Sequence, residues 1–132
     1  MIPALMNPQS IALVFVGAGA GGVSRYLLGL ALNPLFAAVP LGTLTANLLG
    51  SGLAGVLLGV VTMRTGLDPL LRPLLITGFM GGLTTFSSFS LEVVQMLESQ
   101  RLLLAGGTIA VHVAGSLLFA LLGLWGIRAL LG

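Results

Sequence analysis

The residues best suited to chemistry lie in one stretch, Gly78–Ser90, which reads Gly-Phe-Met-Gly-Gly-Leu-Thr-Thr-Phe-Ser-Ser-Phe-Ser. Phe86 and Phe89 are three apart, so a helix would set them side by side on one face. An aromatic ring has a negative face and a positive edge, so two neighbouring edges can receive an anion that has shed part of its water. The same spacing suits ordinary apolar packing, and both readings stand. Around the rings are the hydroxyls of Thr84, Thr85, Ser87, Ser88 and Ser90, which can bond backbone groups that a broken helix releases. Ahead of them Gly78, Gly81 and Gly82 each cost a helix interior roughly 1 kcal/mol against alanine. The stretch therefore predicts an interrupted helix with an ion or substrate site at the interruption.

Other polar residues within apolar surroundings join the candidate list. Asn47, with Thr43 one turn before it, brings an amide with two donors and an acceptor. It either ties helices together or donates to a dehydrated anion. Arg25 either draws an anion into a vestibule or snorkels to the membrane interface. Glu92 shares a helix face with Phe89 and Met96, and serves either as a proton-coupled carboxylate or as an acceptor fixing nearby hydroxyls. Thr108, His112 and Ser116 recur every four residues as a polar stripe that fits a pore lining. No metal-ligand cluster, nucleophile beside a base, or phosphate loop with its lysine accompanies them, so the chain reads as a non-enzyme.

The elements that must hold these residues are membrane helices. Of 132 residues, 57% are hydrophobic and only 6% charged, against about a quarter charged in soluble domains. Spans of about 20 apolar residues fit at 11–32, 41–63, 74–97 and 102–131, a single four-helix transmembrane domain over 1–132. The first span is too long for a cleavable signal and has no basic residue before it. Glycine-rich ridges at Gly17, Gly21 and Gly29, and at Ser51, Gly55 and Gly59, predict close helix packing. Gly17–Gly22 also spells a dinucleotide fingerprint, but without a preceding strand or a later acidic residue it is a packing ridge. The five basic residues are scattered arginines, which excludes a nucleic-acid patch. Their split, with Arg64, Arg72 and Arg128 on one side and Arg101 and Arg25 on the other, only weakly favours cytoplasmic termini and is compatible with insertion both ways. The chain has no cysteine, so it forms no disulfides.

Three segments carry a resemblance: Gly21-Gly-Val-Ser-Arg-Tyr26, Gly42-Thr-Leu-Thr-Ala-Asn-Leu-Leu-Gly50 and Gly78-Phe-Met-Gly-Gly-Leu-Thr-Thr-Phe-Ser-Ser-Phe89. In these the chain resembles the small bacterial fluoride channel family (Fluc/CrcB type) over essentially its whole length. The resemblance implies an all-α membrane protein with its third helix interrupted near mid-membrane, an antiparallel dual-topology homodimer in the bacterial inner membrane, and two passive fluoride pathways at the subunit interface. It implies that Phe86 and Phe89 supply ring edges to fluoride and that Asn47 lines the same path. It further implies a polar track in the fourth helix with Ser116, supported by Glu92, Arg25 in an aqueous vestibule, and a central sodium ion on the backbone carbonyls of Gly81 and Thr84; Thr43, Ser88 and His112 are read as further residues of the fluoride pathway. The implied partners are fluoride, sodium, the lipid bilayer and a second copy, with no nucleic acid. The chain departs from the family at Thr108 and His112, where tyrosine and serine are common, and at Ala120, where a hydroxyl can occur. Competing readings are a proton-coupled exporter of organic cations that uses Glu92, and an assembly protein without transport.

Overall fold

The computed structural model describes residues 7–63 and 68–132; Arg64 and the first six residues lie outside them. Four helical stretches are long and apolar enough to cross a membrane: Pro8–Leu35, Leu41–Met63, Arg72–Glu98 and Leu102–Leu131. Helix α1 (Pro8–Leu32) starts earlier than its apolar run because Asn7 caps it, its side-chain oxygen accepting from the Gln9 amide at 3.0 Å, and Pro8 occupies the first turn. A short 3-10 turn, Asn33–Leu35, follows. Asn33 Oδ1 accepts from the Gly42 amide at 2.8 Å and so ties the turn to the start of α2 (Leu41–Met63).

The third span is built in pieces. Helix α3 (Arg72–Met80) is wound with the wider π spacing, and one further turn, Gly81–Leu83, continues it. Extended backbone at Thr84 (φ −80°, ψ 152°) and Thr85 (φ −147°, ψ 123°) separates that turn from α4 (Phe86–Glu98). Gly81 itself is helical (φ −62°, ψ −36°), so the threonines, and not that glycine, carry the change of direction. The next reversal is tight. Gln100 takes a positive φ of 58°, its amide donates to the Leu97 carbonyl at 3.0 Å, and that of Arg101 donates to Met96 at 2.8 Å. The chain then enters α5 (Leu102–Leu131).

Glycines set the helix contacts. A side chain at Gly17 would have its Cβ 2.9 Å from the Phe79 amide nitrogen, and one at Gly21 would reach 2.7 Å from that of Leu83. From the other side, Gly78 lies against Gly17 and Val14, and Gly82 against Ala18 and Gly22. Two small-residue ridges thus face each other across α1 and the third span, with no room for a methyl group between. Gly55 meets Ala120, and Gly123 meets Gly52, so α2 and α5 approach in the same way. Gly78 and Gly82, which read from the sequence as helix-breaking residues, are packing residues.

Large apolar side chains point outward; Leu103 is 93% exposed. The buried set is short and mixes a few apolar side chains (Met80, Leu83, Phe89, Val93 and Met96) with small or polar ones, Ala46, Ala105, Thr43, Thr108 and His112. Such an arrangement suits hydrocarbon outside, where dispersion between close backbones replaces a hydrophobic drive. We expect Gly17→Val to destabilise the protein by about 1–3 kcal/mol through overpacking. Gly19→Ala has no heavy atom within 4 Å of the added carbon and should stay within about 1 kcal/mol of wild type. Thermal unfolding in detergent distinguishes them, and equal effects would refute the ridge contact.

Candidate functional site

The extended pair Thr84–Thr85 releases backbone groups that a continuous helix would pair, and several of them have a visible destination. The amide and hydroxyl of Thr84 both donate to the Met80 carbonyl, at 3.0 and 2.8 Å. The Thr85 amide, which in an unbroken helix would donate to Gly81, donates instead to Asn47 Oδ1 at 2.7 Å. Asn47 Nδ2 returns a bond to the Thr85 carbonyl at 3.0 Å. One side chain on α2 therefore clamps both backbone groups of one residue in the third span. Thr85 in turn caps α4, its hydroxyl accepting from the Ser88 amide at 3.1 Å.

Asn47 Nδ2 also lies 3.1 Å from His112 Nδ1. The His112 ring packs against Phe89, with centroids 4.5 Å apart, and Phe89 meets Phe86 edge-on at 5.6 Å and 60°. Phe89 is 7% exposed, whereas Phe86 is 78% exposed, so the first ring is a fixed wall and the second presents free edges. Helix α4 begins at Phe86, which puts the positive end of its dipole beside that ring.

Two cavities collect the sequence candidates. One of about 580 Å³ is lined by Asn47, Gly81, Thr84, Phe86, Phe89, His112 and Ser116, together with Ser51, Met80 and Thr85. The other, of about 490 Å³, is lined by Arg25, Thr43, Ser88 and Glu92 with Tyr26 and Asn33. Arg25 Nε donates to the Gly82 carbonyl at 3.2 Å, so this guanidinium braces α1 on the third span at the cavity wall. The Thr43 hydroxyl donates to Glu92 Oε1, while Oε2 is buried with no partner among the described residues.

Thr108 does not share the cavity of His112 and Ser116. Its hydroxyl donates to Met96 Sδ at 3.4 Å, and it borders a separate apolar cavity of about 310 Å³ that His112 also lines. The sequence reading overlooked the backbone of Thr85 as the partner of Asn47. A threonine directly ahead of an amphipathic run is the available cap signal. Among the described residues no group of three or more His, Cys, Asp or Glu side chains could hold a metal. A cation here would meet neutral oxygens, from carbonyls and hydroxyls, in place of a carboxylate cluster.

Asn47→Ala should leave the amide and carbonyl of Thr85 unpaired, at about 1–3 kcal/mol for each buried group. Hydrogen exchange at the Thr85 amide should accelerate in that variant while amides in α5 keep their rates. Unchanged Thr85 exchange would show that the clamp is dispensable.

A family model described as CrcB-like protein, camphor resistance (CrcB), matches residues 12–124. The chain is 55% identical over 115 residues to a protein of Tolumonas auensis named fluoride-specific ion channel FluC, covering 87% of this chain and 91% of that one. A Pseudomonas aeruginosa protein of the same name is 48% identical over 124 residues, with 94% and 98% covered. Another from Desulfovibrio desulfuricans is 47% identical over 116 residues, with 88% and 90% covered.

Proposed function

The chain belongs to the CrcB-like family, and from that premise we propose that it is a fluoride-selective channel that lets cytoplasmic fluoride leave the cell passively. It is a multi-pass protein of the bacterial inner membrane and not an enzyme. The observation that carries the reading is the cavity where ring edges, the Asn47 amide, His112 and the positive end of α4 converge. Fluoride holds its water tightly, so a pore must offer close donors and positive edges in exchange, divided among several sites so that the ion can also leave. Arg25 raises the local concentration of anions in the vestibule it lines with Thr43, Ser88 and Glu92. Phe86 and Phe89 then receive the ion at their edges, and Ser116 continues the path along α5.

We place this path in an antiparallel homodimer, one copy inserted each way, with two pathways along the interface. The free edge of Phe86 and the open space beside Gly81 support an arrangement in which a second copy closes the wall. A sodium ion fits the same break. The Gly81 carbonyl has lost its helical donor to Asn47, Thr84 lines the same cavity, and carbonyls at unwound membrane helices suit this cation. Gly81 and Thr84 would hold it, and bound sodium would supply fixed positive charge that offsets anion repulsion and stiffens the dimer.

No observation favours the cation exporter, because Glu92 accepts from Thr43 and the relatives carry a fluoride-channel name. Liposomes containing the purified protein should release fluoride, followed with a fluoride electrode, with little chloride efflux. Phe86→Ile and Asn47→Ala should abolish the release, and equal passage of chloride would overturn the reading. Gly132→Cys should react with an impermeant thiol reagent from both sides of the membrane. Labelling from one side only would contradict the antiparallel dimer.

A further inference from the structure

The hydrogen bonds around Asn47 fix more than the backbone. A peptide N–H can only donate, so the Asn47 atom 2.7 Å from the Thr85 amide is the acceptor Oδ1, and the side-chain amide cannot be flipped. Its Nδ2 hydrogens then face the Thr85 carbonyl at 3.0 Å and His112 Nδ1 at 3.1 Å. An amide NH2 has no acceptor capacity, so Nδ1 must accept and the proton of the neutral ring lies on Nε2. That nitrogen is buried without a partner among the described residues, in a side chain only 4% exposed. Buried polar groups are almost always paired, so an orphan donor points to a partner supplied from outside the described residues.

An N–H group can serve a lone pair on an anion or a water molecule, but it cannot coordinate a cation. The ring lies between the cavity of Phe86 and Ser116 and the apolar cavity beside Thr108, of which only the first has polar lining suited to an ion, and it is held against Phe89. With the channel reading supplying the identity of the ion, the geometry points to His112 Nε2–H as a direct donor to permeating fluoride, with Asn47 as the positioning residue that selects the donating tautomer. Asn47 itself has no hydrogen left for the ion. Its part in anion recognition passes through the imidazole.

His112 is the only histidine in the chain, so the ring nitrogens of protein labelled with 15N-histidine can be assigned directly. The wild-type protein should show Nδ1 unprotonated and Nε2 protonated, and adding fluoride, but not chloride, should shift the Nε2–H resonance. A protonated Nδ1 would overturn the tautomer assignment, and an Nε2–H indifferent to fluoride would mean that it bonds water instead and overturn the donor role. In the efflux assay, His112→Leu should reduce fluoride flux about tenfold or more through loss of a hydrogen bond to an ion. His112→Gln, which can place an amide nitrogen near the Nε2 position, should retain a larger share. Equal fluxes from the two variants would argue against the donor. Wild-type efflux tests the channel reading alone, whereas the fluoride response of Nε2–H in conducting protein tests His112, so the two failures are distinguishable.

Discussion

Everything in this protein depends on pairing the backbone of Thr85. Two extended residues inside a membrane span expose amides and carbonyls where hydrocarbon offers no partner, at several kcal/mol for each group left bare. Asn47 supplies an acceptor and a donor to the same residue, which makes the interruption affordable and fixes α2 against the third span. That placement requires α2 to be held in turn. The close contacts of Gly55 with Ala120 and of Gly123 with Gly52 lock α2 to α5, which brings His112 within reach of Asn47. The small-residue packing and the polar site are thus one arrangement.

The interruption also sets the electrostatics. A helical turn ending at Leu83 presents carbonyls, and α4, beginning at Phe86, presents amides. These ends carry opposite partial charges and here lie only a few residues apart in sequence. Taking the Thr85 amide away from Gly81 strengthens the negative end by freeing a carbonyl, while the hydroxyl of Thr85 caps the positive one. One break can therefore favour a cation on one side and an anion on the other without a charged side chain at either. Family membership identifies the anion as fluoride in the proposed function; the geometry accounts for how so apolar a segment attracts ions at all.

The sequence made the spans and their polar residues legible because apolar length and rare polarity are one-dimensional signals. Roles that depend on distance were not legible. Asn47 could tie helices or face an ion, and only its three contacts show that its amide is spent on Thr85 and His112. Glycine posed the same difficulty, since one that weakens a helix and one that lets another backbone approach look identical in sequence. Gly78 and Gly82 proved to be the second kind. The stripe Thr108–His112–Ser116 shows a geometric limit. Residues four apart turn about 40° relative to one another, so eight residues drift about 80°, enough to turn Thr108 to Met96 while Ser116 meets the ring cavity. The π winding of α3 had no sequence signal beyond Pro73 at its start.

The two cavities divide the work that a conducting anion would require. Arg25 and Glu92 line one, and rings with neutral donors line the other. Thr43 and Asn47 stand one turn apart on α2, and Ser88 and Phe89 are adjacent on α4, so the same two helices carry both walls. A charged vestibule gathers ions, but a full charge placed deeper would hold fluoride too firmly to release it. Neutral donors and ring edges bind more weakly and discriminate by how closely an ion can approach them, which favours the smallest halide. Selectivity in the proposed channel therefore rests on rigidity at the rings. The buried Phe89, pressed between Phe86 and His112, is the part of the wall least able to yield to a larger ion.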